Sequence, residues 1–94
     1  MTDIRHETRD GGGRYVVEGK TGEQAWLSWR RSDSGKMEAI STFVPPSLRS
    51  EGLAMKLVER LVQDARENGE TIIPVCSYIA HNARKRDDWS DVME

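Results

Sequence analysis

The sequence predicts one domain of mixed structure (α+β or α/β): an antiparallel meander of strands, then a strand–helix–strand unit and a C-terminal helix. Short β-branched, aromatic or alternating runs fill the first half of the chain. The only sustained helical period lies between residues 53 and 65, and a short apolar run follows at 71–76. A chain of 94 residues has room for a single core.

The first half of the chain predicts three sequential strands. Residues 1–13 are polar and end in three glycines, so we expect a flexible segment in front of a domain at residues 14–94. RYVVEG (14–19) is the first predicted strand, and GKTG supplies a hairpin turn. Alternation in QAWLSWR (24–30) puts Trp26 and Trp29 on opposite faces. SDSG then turns the chain into KMEAISTFV (36–44), which the following prolines end.

The second half predicts the crossover unit. Apolar residues recur at helical spacing from Leu53 to Ala65, charged residues fill the other face, and Gly69 is a natural stop. TIIPVC (71–76) is a buried strand, and a connection of this length favours a parallel, right-handed crossover. Pro74 cannot donate to a ladder, which suggests that this strand parts from its neighbour there. YIAHNARKR predicts a short helix, with DDWSDVME as a last turn or tail.

Composition limits the classes of function. The net charge is −2 and the chain has one cysteine, so no general field draws it to nucleic acid or anionic lipid, and no intrachain disulfide forms. No apolar run is long enough to span a membrane, and the N-terminus lacks a signal-peptide core. We therefore expect a cytoplasmic protein, with no nucleic acid or membrane as partner. His6 and His81 are isolated, and we expect no metal site.

Gly52 in VPPSLRSEGLAMKLV (44–58) needs a physical reason, because glycine inside a helix costs about 1 kcal/mol against alanine. Ser50 could cap the helix, but a capping box needs Glu or Gln where Leu53 stands, so we infer that capping does not require Gly52. The alternative is a loop whose backbone amides face an anion, with the helix N-terminus and Arg49 adding positive charge. A plain loop-to-helix turn remains open at this point.

The same stretch resembles the acyl-coenzyme A pyrophosphate-binding motif of the GNAT superfamily of N-acetyltransferases. The motif has Gln or Arg, two residues, Gly, one residue, and Gly or Ala, and it falls here on Arg49, Gly52 and Ala54. Together with ARENGETIIPVCSYI, it is similar to small single-domain members of that superfamily. The resemblance implies a truncated GNAT-like fold, with an open acceptor side and a cofactor cleft between two splayed parallel strands.

The resemblance also implies acetyl-coenzyme A as cosubstrate and a small-molecule or protein amine as acceptor. The pantetheine arm would bond to the strand edge, and the pyrophosphate would lie on the loop amides. The implied cofactor-binding residues are Phe43, Val44, Leu48, Arg49, Ser50, Glu51, Gly52, Leu53, Ala54, Asn82 and Arg86. The run Arg84–Lys85–Arg86 could meet the adenosine phosphate or complement a helix C-terminus.

Four residues are candidates for catalysis, each with a structural alternative. Cys76 could accept the acetyl group or protonate the thiolate, or simply pack in the strand. Glu38 and Ser41 could activate a water that deprotonates the amine, or form a solvated face and a satisfied hydroxyl. Tyr78 lies where many GNAT enzymes carry a tyrosine acid, and otherwise packs in the core.

Some positions depart from the family pattern. Small relatives often read His-Thr-Glu-Val where this chain has STFV (41–44), and they tend to have Tyr at Asn82 and His-Pro at Arg86 and Asp87. The protein could therefore bind the cofactor yet turn over slowly. We expect an N-acetyltransferase acting on a primary amine, as a monomer or weak dimer. A non-catalytic coenzyme A-binding module and a protein-interaction domain are the alternatives.

Overall fold

The computed structural model describes residues 3–94; Met1 and Thr2, the start of the predicted flexible segment, lie outside the described residues. Five strands form one sheet in the order β1-β2-β3-β4-β5. The strands are β1 (Arg5–Arg9), β2 (Gly12–Glu18), β3 (Gln24–Arg31), β4 (Met37–Phe43) and β5 (Ile72–Pro74). The helices are α1 (Leu53–Glu67) and α2 (Ser77–Ala83), with short 3-10 helices at Pro46–Glu51 and Asp87–Trp89.

Strand directions follow the predicted topology. β1 to β4 pair antiparallel in sequence order, and β5 pairs parallel to β4 after the α1 crossover. The predicted meander, helix and parallel strand are therefore confirmed, as is the mixed α and β class. Within residues 3–94, no helix is long and apolar enough to cross a bilayer.

β1 corrects the prediction of a flexible segment over residues 1–13. A two-residue turn at 10–11 joins β1 to β2, and the two strands pair over five residues. Gly12 and Gly13 lie inside β2, where an added Cβ would come within 2.5 Å of a backbone oxygen of a neighbouring strand. The Cβ of residue 13 would also lie 3.1 Å from the Trp29 ring. These glycines permit close packing of the strands rather than flexibility.

Both helices pack on one face of the sheet. Leu57 and Leu61 of α1, Ile79 of α2, and Leu27 and Met37 of the sheet belong to one buried cluster. Among residues 3–94, no helix lies above the other face of the sheet.

The two tryptophans of β3 confirm the predicted alternation. Trp29 is 8% exposed and belongs to the core, whereas Trp26 contacts the Phe43 ring, which is 43% exposed, on the open face. The ion pair between Arg30 and Glu38, at 2.8 Å, lies on the same open face.

The C-terminal residues, predicted as a last turn or tail, pack against the core and β5. Trp89 and Val92 are both buried, and the backbone of Ile72 bonds to Val92 at 2.6 Å and to Glu94 at 2.9 Å. The last residues thus cover the outer edge of β5. α2 ends at Ala83, earlier than the predicted helix over residues 78–86.

Candidate functional site

β4 and β5 run together for three residues and then separate. Their register joins Met37 to Ile72, Glu38 to Ile73 and Ala39 to Pro74. The Ala39 carbonyl then accepts the N–H groups of both Val75 and Cys76, at 3.0 and 2.9 Å. In the part of the chain that the structure describes, no backbone hydrogen bond joins the two strands beyond that point. The predicted parting near Pro74 is confirmed, and it leaves a gap beside the last four residues of β4.

A β-bulge decides which side chains of β4 face this gap. Trp29 pairs with Ala39 and Ser28 with Ser41, so Ile40 has no partner in the register. The extra residue exchanges the faces of the residues that follow. Thr42 now lies opposite the buried Leu27, and directly opposed residues share a face.

The bulge moves one predicted catalytic residue away and brings an unpredicted one in. The hydroxyls of Ser41 and Ser28 lie 2.8 Å apart on the open face of the sheet, so Ser41 points away from the helices. Thr42 Oγ1 instead lies 3.7 Å from Cys76 Sγ, across the gap. Sequence reasoning missed Thr42 because strict alternation along β4 would turn it outward.

Gly52 joins the 3-10 helix to α1 in the left-handed conformation, with φ 67° and ψ 26°. A side chain there is strained whatever space surrounds it, and an added Cβ would meet nothing within 4 Å. This corrects the inference that Gly52 has no capping role, because its positive φ both ends the 3-10 helix and opens α1. The space in front of it is open.

The opening amides of α1 have no acceptor among residues 3–94. No side chain caps the helix, and within residues 3–94 the N–H groups of Gly52, Leu53, Ala54 and Met55 make no hydrogen bond. The first amides of any helix lack an intrahelical partner, and here they carry the positive end of a 15-residue dipole. Four adjacent donors therefore lie together at the start of α1, after the loop that leads from β4.

The first half of the predicted anion loop is engaged within the protein. The Leu48 amide donates to the Pro45 carbonyl at 2.9 Å, and the Leu48 side chain is buried. In a 3-10 helix the amides from the fourth residue onward bond three residues back, which occupies Arg49, Ser50 and Glu51. The predicted anion seat at residues 48–54 is thereby narrowed to Gly52 and the first turn of α1.

The Arg49 side chain contacts the backbone just after the end of β4. Its Nε donates to the Val44 carbonyl at 3.1 Å, and the rest of its side chain is exposed. A carbonyl oxygen can accept a second donor, so Val44 retains capacity for a ligand. The predicted residues Phe43, Val44 and Arg49 thus lie together at the end of β4.

Cys76, Tyr78 and Asn82 follow the gap on α2. The Cys76 thiol is partly buried and forms no disulfide, and the Tyr78 side chain is 38% exposed. Burial, with a smaller contribution from Cys76, raises the pKa of Tyr78, which keeps its hydroxyl protonated. Asn82 Nδ2 donates to the Tyr78 carbonyl at 2.9 Å, which leaves its oxygen available.

Two predicted residues have partners of their own elsewhere. Glu38 pairs with Arg30 on the open face, before the strands separate. Arg86 pairs with Asp88 through two bonds of 2.9 Å, and its guanidinium lies 4.4 Å from the centroid of the Trp89 ring. Neither side chain is free to bind a ligand without giving up these contacts.

A cavity of about 910 Å³ lies behind the same loop rather than in the gap. Ile4, Val17, Leu48 and Leu53 line it, with Glu51 at its side. Three of the predicted cofactor-binding residues, Leu48, Glu51 and Leu53, thus line this cavity. No group of His, Cys, Asp or Glu within residues 3–94 is arranged to hold a metal ion.

The chain matches the family described as GCN5-related N-acetyl-transferase over residues 14–92. It is also similar to the solution NMR structure of a GCN5-like protein from Staphylococcus aureus, with a TM-score of 0.74 and 25% identity. That match covers 100% of this chain and 91% of the other. No curated protein matches the chain.

Proposed function

Because the chain belongs to the GCN5-related N-acetyltransferase family, we propose that it binds acetyl-coenzyme A and acetylates a primary amine of a small molecule or a protein lysine. One observation carries the proposal: four unpaired amides open α1, directly after the loop that leads from the β4 edge left free by the gap. We expect it to act in the cytoplasm, as a monomer or weak dimer.

The residues around the gap fit the parts of such a ligand. The amides of Gly52, Leu53, Ala54 and Met55 suit a diphosphate, because a helix N-terminus favours anions and offers N–H donors. The edge of β4 beyond Ala39 is free of β5 and can pair with an amide-containing arm, as a sheet edge pairs with an added strand.

Bound acetyl-coenzyme A would supply an activated carbonyl and a thiolate leaving group. Thr42 and Cys76 are the polar side chains that meet across the gap, and a hydroxyl and a thiol can each donate a proton or a hydrogen bond. We assign them to hold the thioester carbonyl and to protonate the departing thiolate. Tyr78 is the alternative proton donor.

Titration with acetyl-coenzyme A, followed by amide NMR signals, tests the binding step. Signals of residues 52–55 and of Phe43 should shift first, and those of Gly35 in the distant β3–β4 turn should not. At about 1 mM ligand even weak binding of roughly −4 kcal/mol is half saturated. Unchanged spectra at that concentration would remove the proposal.

A panel of amines, with mass detection of the product, tests the transfer step. Thr42→Val and Cys76→Ala should slow transfer more than they weaken binding, with Ser28→Ala as the control on the open face. A non-catalytic coenzyme A-binding module is the second candidate, favoured by the engagement of Glu38 with Arg30 and of Ser41 with Ser28. Binding without transfer to any amine would support that candidate.

A further inference from the structure

The turn after α2 carries two cationic side chains without a partner among residues 3–94. Arg84 and Lys85 are exposed, and their side chains make no ion pair or hydrogen bond with any residue from 3 to 94. Most other arginines pair with a carboxylate, and among the described side chains Arg9 and Lys20 are the other cations without a partner.

Arg86 holds this turn beside the first half of α1. One of its guanidinium nitrogens lies 3.8 Å from Met55 Sδ and 3.8 Å from Glu59. Asp88 and the Trp89 ring hold the other side of the guanidinium. Arg84 and Lys85 thus directly precede a residue whose side chain contacts Met55, one of the residues with an unpaired amide, while their own side chains stay free.

The charge pattern favours an anion at this position. Arg86 pairs with Asp88 and lies near Glu59, so its single charge offsets one of these two carboxylates and leaves the charges of Arg84 and Lys85 without a paired carboxylate. Phosphate recognition by Arg and Lys is strengthened where the cations lack competing partners. Coenzyme A carries a phosphate on its 3′ ribose hydroxyl, one ribose away from the diphosphate.

We infer that Arg84 and Lys85 bind the 3′-phosphate of coenzyme A, so that the protein prefers coenzyme A over 3′-dephospho-coenzyme A. The inference rests on the proposed function, since it places the diphosphate on the amides that open α1. It assigns the charge to Arg84 and Lys85 in place of Arg86, whose guanidinium is already engaged.

Isothermal titration of both ligands separates the two proposals. The unaltered protein should bind coenzyme A about tenfold more tightly than the 3′-dephospho form, equivalent to ~1.4 kcal/mol. Arg84→Ala combined with Lys85→Ala should abolish that preference and leave affinity for the dephospho form unchanged. Arg9→Ala with Lys20→Ala is the matched control, since it removes the same charge elsewhere and should keep the preference.

Each outcome has a distinct meaning. Equal affinity of the unaltered protein for both ligands would overturn the inference and leave the proposed function standing. A preference that survives in the Arg84 and Lys85 double variant would overturn it as well. Failure of both ligands to bind would remove the proposed function itself. If these residues only complemented the dipole of α2, the double variant would lower thermal stability without changing the ratio of affinities.

Discussion

Replacing Gly52 with alanine tests the structural argument at its centre. The left-handed conformation costs an L-residue about 1–2 kcal/mol, and alanine recovers ~0.4–1 kcal/mol by restricting the unfolded chain. No steric contact adds to this, because nothing lies within 4 Å of the new Cβ. The free energy of unfolding should therefore fall by about 1 kcal/mol, and Tm by roughly 4–8 °C for a domain of this size.

Gly69 provides a matched control within the same chain. It has the same φ of 67° and equally open surroundings, but it follows the other end of α1. Gly69→Ala should cost similar stability, as measured by circular dichroism on heating. Only Gly52→Ala should also weaken acetyl-coenzyme A in isothermal titration, because its Cβ projects into the space before the unpaired amides.

Two results would refute this reasoning. An unchanged or higher Tm for Gly52→Ala would contradict the claim that its backbone conformation requires glycine. Equal ligand affinity in both variants would show that the amides of residues 52–55 do not hold the diphosphate. The two readouts are independent, so one claim can fail without the other.

Three further predictions concern the contacts that Tyr15, His6 and Gly13 make with their neighbours in the fold. Tyr15→Phe should lower the free energy of unfolding by about 1–2 kcal/mol in urea, because its hydroxyl donates to Asp64 at 2.8 Å; an unchanged midpoint would contradict this. Burial lowers the pKa of His6, whose Nε2 accepts from Trp29 at 3.1 Å. The unfolded state therefore takes up the proton first, so stability should fall as pH drops below 6.5, and His6→Gln should remove that step from a pH series of urea midpoints. Gly13→Ala should lower Tm through overpacking of about 1–3 kcal/mol against the Trp29 ring, and a Tm equal to that of the parent would show that β1 can shift.

Much of the fold could be predicted because its signals are local. The alternation in β3, the helical period of α1 and the prolines after β4 each act within a few residues of where they lie. The parting of β4 and β5 also follows from a covalent fact, since Pro74 has no N–H to donate. Features of this kind are unchanged by the surroundings.

β1 could have been predicted from one signal that the glycines obscured. Asp10–Gly11 between RHETR (5–9) and GGRYVVE (12–18) is a hairpin sequence, and the structure places a turn there. RHETR carries no apolar residue, because β1 is an edge strand whose exposed side chains pair with one another, as Arg5 does with Glu7. Hydrophobic periodicity is a weak guide for such a strand.

The features of the candidate site likewise fall into those that the sequence predicts and those that only the tertiary structure shows. The sequence by itself determined the order of β2 to β5, the crossover helix, the gap at Pro74 and the glycine that opens α1, because periodicity and missing backbone donors are properties of short segments. Only the tertiary structure decided that Thr42 rather than Ser41 meets Cys76, and that Arg86 is engaged while Arg84 and Lys85 are free. A bulge at Ile40 and the partners of a charge depend on residues far apart in the chain, and pairing between distant segments exists only once they are packed together.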